Sequence, residues 1–258
     1  MNSMNENDVM MLKTPFHSRI EAACEINLWG NWMGYTTPDA YFDVELEYFA
    51  VRSTTGVFDL SPMNKYRISG PDAADFLDRM MTRNMHKLAI DRVAYVVWCN
   101  DAGQLMDDGT VFRLAENEYR LCSYARANDW LHWCSLGFDV TITDETAEVA
   151  ALAVQGPTSC STLTAMGLEG LQELKPFDIR NYSFDGEILS VSRTGFTGDL
   201  GYELWITPSK AEDLWDRLFE AGKPFLIKPF GSHALDIARI ETGFVQAGVD
   251  FVMAQDLI

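Results

Sequence analysis

Apolar and polar positions alternate at Tyr66 and Ile68, as in a half-buried strand. Ser69-Gly70-Pro71-Asp72 then signals a helix start, because Pro is tolerated in a first helical turn. Ala73, Phe76, Leu77 and Met80 follow on one face at helical spacing. Val93–Cys99, Gly109–Leu114 and Tyr119–Ser123 read as strands, the last two joined by the short turn Ala115–Glu118. Ala127–Leu136 reads as a helix with Trp130, Leu131 and Cys134 as its stripe, and Phe138, Val140 and Ile142 alternate as a further strand. The order β-α-β-β-β-α-β with short hairpins predicts an α+β layer, an antiparallel sheet with helices on one face, over a parallel doubly wound sheet.

A second unit follows. Val149–Val154 is a short apolar strand, and Gln155-Gly156-Pro157 breaks it and opens a helix. Glu187–Arg193 and Tyr202–Ile206 read as strands flanking a loop. Thr207 caps the next helix, with Pro208 at its first position, Gly222 after its end and Leu214, Trp215, Leu218 and Phe219 as the buried stripe. Ser232 to Gly243 is a last helix. Before these units, residues 1–13 read as a loose tail and Asp43–Arg52 as a helix, although Val44, Leu46, Tyr48 and Val51 are too dispersed for a clean stripe.

The 258 residues are 47% hydrophobic and 22% charged, which suits an ordinary globular protein of one or two domains. No apolar run is long enough for a membrane span, and Met1 to Met11 lacks the features of a signal peptide, so a cytoplasmic location is expected. The formal charge of −18 makes nucleic acid and anionic membranes poor partners. Cys24, Cys99, Cys122, Cys134 and Cys160 are widely spaced and read as buried free thiols, and the four histidines have no metal-ligand spacing.

Three stretches carry candidate chemistry. In the run from Asn100 to Thr110, Asp101-Ala102-Gly103 reads as a turn, and Asp107 and Asp108 face opposite ways if the chain is extended. That is either a solvated acidic turn or one carboxylate turned inward, which is costly unless paired or used. The glycine-rich run Gly195-Phe196-Thr197-Gly198-Asp199-Leu200-Gly201 leads into a strand, so it is either a tight hairpin or a backbone that approaches a flat ligand. Beyond it, Glu203 and Trp205 share a face. They form either an ordinary edge-strand surface or a pair that accepts hydrogen bonds from a heteroaromatic ring and stacks on it. Arg239 lies three residues from Asp236 on one helix, and either pairs there or grips a ligand carboxylate.

Together these stretches resemble the aminomethyltransferase family, comprising the T-protein of the glycine cleavage system and its folate-dependent demethylase relatives. The resemblance runs from about Thr14 to Phe251. It rests on Ala50-Val51-Arg52 with Gly56-Val57-Phe58-Asp59-Leu60-Ser61, Ser69-Gly70-Pro71-Asp72-Ala73, the Asn100–Asp108 stretch, Ala153-Val154-Gln155-Gly156-Pro157, Arg193-Thr194 with the glycine run through Glu203, and Arg239-Ile240-Glu241-Thr242-Gly243.

The resemblance implies a three-lobed ring around a tetrahydrofolate hole. Residues 14–55 plus 150–251 would form the first lobe and 56–149 the inserted second lobe. The C-terminal β-barrel lobe would be absent, as in a shortened gene product or one half of a split enzyme. It further implies Asp107 as the catalytic base or electrostatic stabiliser, Glu203 as the carboxylate that grips the pterin, and Tyr124, Arg239, Phe196 and Trp205 at the cofactor. The implied activity is tetrahydrofolate-dependent transfer of a methyl or aminomethyl group from a small amine, ether or sulfonium donor. The alternative is folate binding without transfer, but the Lys-Gly-Cys of that branch is replaced by Thr242-Gly243-Phe244. Implied partners are a lipoyl carrier protein or a separate C-terminal lobe. Leu235 stands where the glycine-cleavage enzyme usually has Arg, and Ser61-Pro62-Met63 where it usually has Ser-His-Met; both departures resemble the demethylase-like branch.

Overall fold

The computed structural model describes residues 11–256, which form two large sheets and a small hairpin. The chain opens with α1 (His17–Ala23), the hairpin β1 (Leu28–Trp32) and β2 (Tyr35–Ala40), and α2 (Val44–Ser53). Asp43 caps α2 by accepting from Leu46 N at 2.9 Å. The missing apolar stripe of α2 has a simple cause. Its core-facing position is Glu47, fully buried and satisfied by amides of Tyr41 (2.7 Å), Phe42 (2.9 Å) and Gly231 (2.8 Å), while Leu46 faces solvent.

Next come β3 (Gly56–Asp59), β4 (Asn64–Ser69), α3 (Ala73–Met80), β5 (Arg92–Cys99), β6 (Leu105–Ala115), β7 (Glu118–Ser123), α4 (Asn128–Cys134) and β8 (Thr141–Asp144). Then follow β9 (Ala150–Gln155), α5 (Ser159–Ala165), β10 (Ile179–Phe184), β11 (Glu187–Ser192), β12 (Gly201–Ile206), α6 (Ala211–Gly222), β13 (Lys228–Pro229) and α7 (Ser232–Thr242). One sheet has the order β5-β6-β7-β4-β8, antiparallel throughout. The other has the order β10-β11-β12-β9-β3-β13, with only β13 and β3 parallel. The α+β reading with mainly antiparallel sheets therefore holds, and no sheet closes into a barrel among the described residues.

Period-two alternation builds the layers. Leu152, Val154 and Leu204 face α5 and α6, while Val111 and Leu121 face α3 and α4. Their immediate neighbours Ala153, Trp205, Phe112 and Cys122 turn the other way and meet in a third core between the sheets, joined by Ala234 and Ala238 of α7.

Several expectations need adjusting. Residues 1–10 of the expected loose tail lie outside the described residues, but the chain is already paired at Leu12, which bonds Gly34 O (2.8 Å) and Thr36 N (2.9 Å). Strand β3 lies in the six-stranded sheet beside β9, and the strands of the other sheet run only from Asn64 to Asp144. The strand expected from Phe138 begins at Thr141, because Phe138 packs edge-on to Phe76 instead. Thr207 makes no side-chain cap, and a short turn, Pro208–Lys210, leads into α6. All five cysteines are free, but only Cys122 is buried. Among the described residues no helix is long and apolar enough to cross a membrane, and no three His, Cys, Asp or Glu residues could hold a metal.

Candidate functional site

The turn before β6 is built by Asn100, whose Oδ1 accepts from Ala102 N and Gln104 N at 3.0 Å each, and by Gly103 at φ +74°. The extended chain then sends the two carboxylates to opposite sides. Asp108 is half-buried and accepts from the Tyr95 hydroxyl at 2.7 Å. Asp107 is 2% exposed. Its Oδ1 accepts from Asp108 N (2.8 Å) and its Oδ2 from Ala125 N (2.9 Å). Trp98, Met106, Ala127, Trp130, Arg126 and Gln255 surround it. Burial pushes the Asp107 pKa up to about 7, since the two amides offset desolvation only in part and the Asp108 charge adds to it. Such a carboxyl can take or give a proton near neutral pH. Two residues on, a side chain at Gly109 would meet Cys122 O at 2.1 Å, so glycine lets β6 and β7 close up beside the site.

Glu203 lies on β12 opposite Ser192 of β11. Its Oε2 accepts from the Thr194 hydroxyl at 2.6 Å, and its Oε1 takes no hydrogen bond from a described residue. Burial lifts its pKa to about 7, and the hydroxyls of Thr194 and Ser192 pull it back only in part. Trp205, on the same face, is not open for stacking on a ligand. It is 2% exposed, with Phe112 edge-on at 5.0 Å and the Arg120 guanidinium 5.7 Å from its ring centroid. Its indole N–H goes to Ser192 Oγ at 3.1 Å.

The glycine-rich run owes its composition to a residue of the chain itself. Side chains at Gly195 or Gly201 would each meet Gln155 Oε1 at 2.0 Å. The buried Gln155 amide donates to Thr194 O (3.3 Å) and Tyr202 O (3.2 Å) and accepts from Thr197 Oγ1 (3.0 Å). The loop thus wraps an internal amide and delivers Thr194 to Glu203. Phe196 is half-buried and stacks on Phe244 with centroids 5.6 Å apart.

Arg239 takes the within-helix option. It is 2% exposed, holds Asp236 through Nε (2.7 Å) and Nη2 (2.6 Å), and gives Nη1 to Phe244 O (3.0 Å) and to Asp250. This largely spends its guanidinium on fixing the chain after α7. Leu235 packs against the intersheet core and offers no charge. The Ser61-Pro62-Met63 turn is held by the buried Lys65 ammonium, which donates to Ser61 O (2.8 Å) and Met63 O (2.9 Å).

Both carboxylates lie near one short segment, Cys122–Ala125. Glu203 is close enough to Cys122 for its charge to add to the burial that raises that thiol's pKa, and Asp107 binds Ala125, three residues on. At about 3.3 Å per residue for a fully extended chain, Cys122 and Ala125 lie no more than roughly 10 Å apart. Tyr124 lies between them, half-buried against Phe251 and Met253. Arg126, the residue after Ala125, also borders a cavity of about 190 Å³ lined by Tyr35, Asn64 and Asp144, among others. Sequence reasoning missed Gln155, Ser192, Thr194 and Arg126. Gln155 and Thr194 stood inside the quoted motifs, where the glycines around them drew the attention.

The sequence matches the GCVT N-terminal domain over residues 22–257. It is 31% identical over 266 residues to an aminomethyltransferase of Shouchella clausii, covering 96% of this chain and 72% of that protein. It is 36% identical over 255 residues to a trimethylamine-oxide aldolase of Ruegeria pomeroyi, covering 94% of this chain and 32% of that protein. Among solved structures, the glycine cleavage system aminomethyltransferase T of Bartonella henselae is similar at a TM-score of 0.83 and 26% identity, over 93% of this chain and 65% of that one. The chain spans 60% to 72% of the length of the curated aminomethyltransferases it matches.

Proposed function

Because this chain belongs to the aminomethyltransferase family through its GCVT N-terminal domain, we propose that it supplies the tetrahydrofolate site and the reacting carboxylate of a folate-dependent one-carbon transferase. The observation that carries this reading is the pair Asp107 and Glu203. Burial lifts both carboxyls to pKa values near 7, and both lie near the single segment Cys122–Ala125. The residues fit the cofactor. Glu203 keeps Oε1 unbonded and a second lone pair on Oε2, which suits the amino group and ring N–H of a pterin. Phe196 and Tyr124 offer half-buried aromatic surface.

When bound, tetrahydrofolate supplies the nitrogens that accept the one-carbon unit. Asp107 has two duties beside them. Near neutral pH it takes up the proton released on transfer, and in its ionised form it stabilises positive charge developing on the carbon that moves. The two amides at Asp107 hold the carboxylate in place, so no reorganisation is needed as charge develops. We place a small donor beside Arg126, which lines the pocket around Asp107 as well as a neighbouring cavity of about 190 Å³.

For donor class, a free methylated amine fits better than an aminomethyl group on a lipoyl carrier. The apolar Leu235 packs in the intersheet core where the glycine-cleavage enzyme usually has Arg, and the aldolase relative is named for a methylated amine oxide.

Calorimetry with tetrahydrofolate tests the assignment. The chain is expected to bind it, and Glu203→Gln to weaken binding by about 1.5–3 kcal/mol, roughly ten- to a hundredfold, the scale of a lost hydrogen bond to a charged group. Equal affinity in the two proteins, or no binding by the unaltered chain, overturns it.

A further inference from the structure

We propose that Ser192 and Thr194 are positioning residues for Glu203, which direct one of its oxygens to the ligand and decide which oxygen can carry a proton. This rests on the reading of Glu203 as the pterin carboxylate. Strand geometry sets it up. Ser192 lies directly across from Glu203 in the β11–β12 pair, Trp205 is two residues beyond Glu203, and Thr194 is two residues beyond Ser192. Period two puts Ser192, Glu203 and Trp205 on one face, and the bend after β11 brings Thr194 to it. Trp205 Nε1 donates to Ser192 Oγ (3.1 Å), Ser192 Oγ lies 2.7 Å from Thr194 Oγ1, and Thr194 Oγ1 lies 2.6 Å from Glu203 Oε2. Ser192 is fully buried, Trp205 is buried, and Thr194 is 8% exposed, so side chains rather than water must satisfy these groups.

The two ends give the file a direction. An indole N–H can only donate, and an ionised carboxylate can only accept. With Glu203 ionised, Trp205 gives to Ser192, Ser192 to Thr194 and Thr194 to Oε2, and every polar hydrogen is used. A proton on Oε2 would turn the Thr194 hydroxyl back toward Ser192, whose oxygen already accepts the indole. The Ser192 hydrogen would then be left with Glu203 itself as its acceptor, a carboxyl that has lost its charge, and the charge-assisted bond from Thr194 would be gone, which is unfavourable. A proton on Oε1 leaves the file intact. The relay therefore favours the ionised form over what burial alone would give. It confines any proton to the oxygen that faces the ligand.

The test uses carboxyl ¹³C NMR titration of the ligand-free chain, with Glu203→Gln identifying the Glu203 signal. Thr194→Val keeps the shape and removes the hydroxyl. It is expected to move the Glu203 midpoint to higher pH and to weaken tetrahydrofolate binding at neutral pH by about tenfold, as for loss of a charge-assisted hydrogen bond. Thr194→Ser is expected to restore both. A purely structural threonine would alter stability and leave the midpoint in place. Should Thr194→Val not fold, Ser192→Ala carries the test, with a midpoint shift in the same direction. Glu203 midpoints that match the unaltered chain in these variants overturn the proposal. A shifted midpoint together with unweakened folate binding by Glu203→Gln supports the relay and instead removes the pterin from Glu203.

Discussion

Asp107 is gripped by two backbone amides, whereas Glu203 leans on a file of side-chain hydroxyls that ends at an indole. Both carboxyls are lifted to about 7 by burial, so desolvation is common to them and the difference lies in the donors. Amide hydrogens cannot turn, and their positions follow from the backbone of β6 and of the bend after β7, so Asp107 is fixed by the fold itself. Hydroxyl hydrogens can turn, so the orientation of Glu203 depends on specific side chains. The first arrangement suits a group that must meet developing charge without moving. The second suits a group whose task is to recognise N–H donors on a ligand.

The sharpest way to break this comparison is Asp107→Asn. It leaves the site's shape nearly intact but removes the ionisable group, and turnover to tetrahydrofolate with any donor the unaltered chain accepts is expected to fall by about 10²–10⁴-fold. Unchanged turnover would reduce Asp107 to scaffold. Gly201→Ala probes the other region through the fold, because its new methyl must displace Gln155 Oε1 from 2.0 Å. Thermal or urea unfolding is expected to show a loss of about 1–3 kcal/mol, the cost of overpacking, and Gln155→Ala in the same chain should recover part of it. Additive losses in the double variant would separate the glycine from the glutamine. Arg126→Ala is expected to raise the KM of a methylated amine that carries a carboxylate by about tenfold, and to spare an amine without one, while leaving the tetrahydrofolate Kd alone, since the guanidinium can attract only the anionic group. A change in folate affinity instead would move Arg126 from the donor to the cofactor.

A separate effect is on stability against pH. Both carboxyls hold their protons more tightly in the folded chain than the ordinary values of 3.8 and 4.5 allow. Between about pH 4.5 and 7 the folded state therefore binds more protons than the unfolded one, and stability falls as pH rises through that window, then levels off. Glu145 runs the other way, because Arg120 and Arg67 outweigh its burial and lower its pKa; its contribution is lost only as pH falls below about 4.5. Urea midpoints for the unaltered chain and for Asp107→Asn with Glu203→Gln should differ in slope across pH 5 to 7. Parallel curves would mean that neither carboxyl is perturbed by folding.

Much of the fold and half of the site logic were legible in the sequence. The β-α-β-β-β-α-β order and the stripes of α3 and α6 stood out because they bury clean apolar faces. Helix α2 was blurred because Glu47 occupies its core position, and β3 was hidden because all four of its residues are buried on both faces, which removes the alternation. The opposed directions of Asp107 and Asp108 followed from strand periodicity alone. The roles of Trp205 and Arg239 did not, since side-chain partners far apart in the chain decide whether a ring face or a guanidinium is free. The glycines at 195 and 201 pointed to a close approach, but composition could not say that the approaching group was Gln155.

Division of labour between the two carboxyls is the claim on which the rest depends. The most direct measurement is the tetrahydrofolate Kd by calorimetry for the unaltered chain, Glu203→Gln and Asp107→Asn under one buffer condition, with turnover followed in parallel. Affinity is expected to drop about ten- to a hundredfold in Glu203→Gln and to stay within about twofold in Asp107→Asn, whose loss appears in turnover. Equal loss of affinity in both variants, or loss in Asp107→Asn alone, would contradict it.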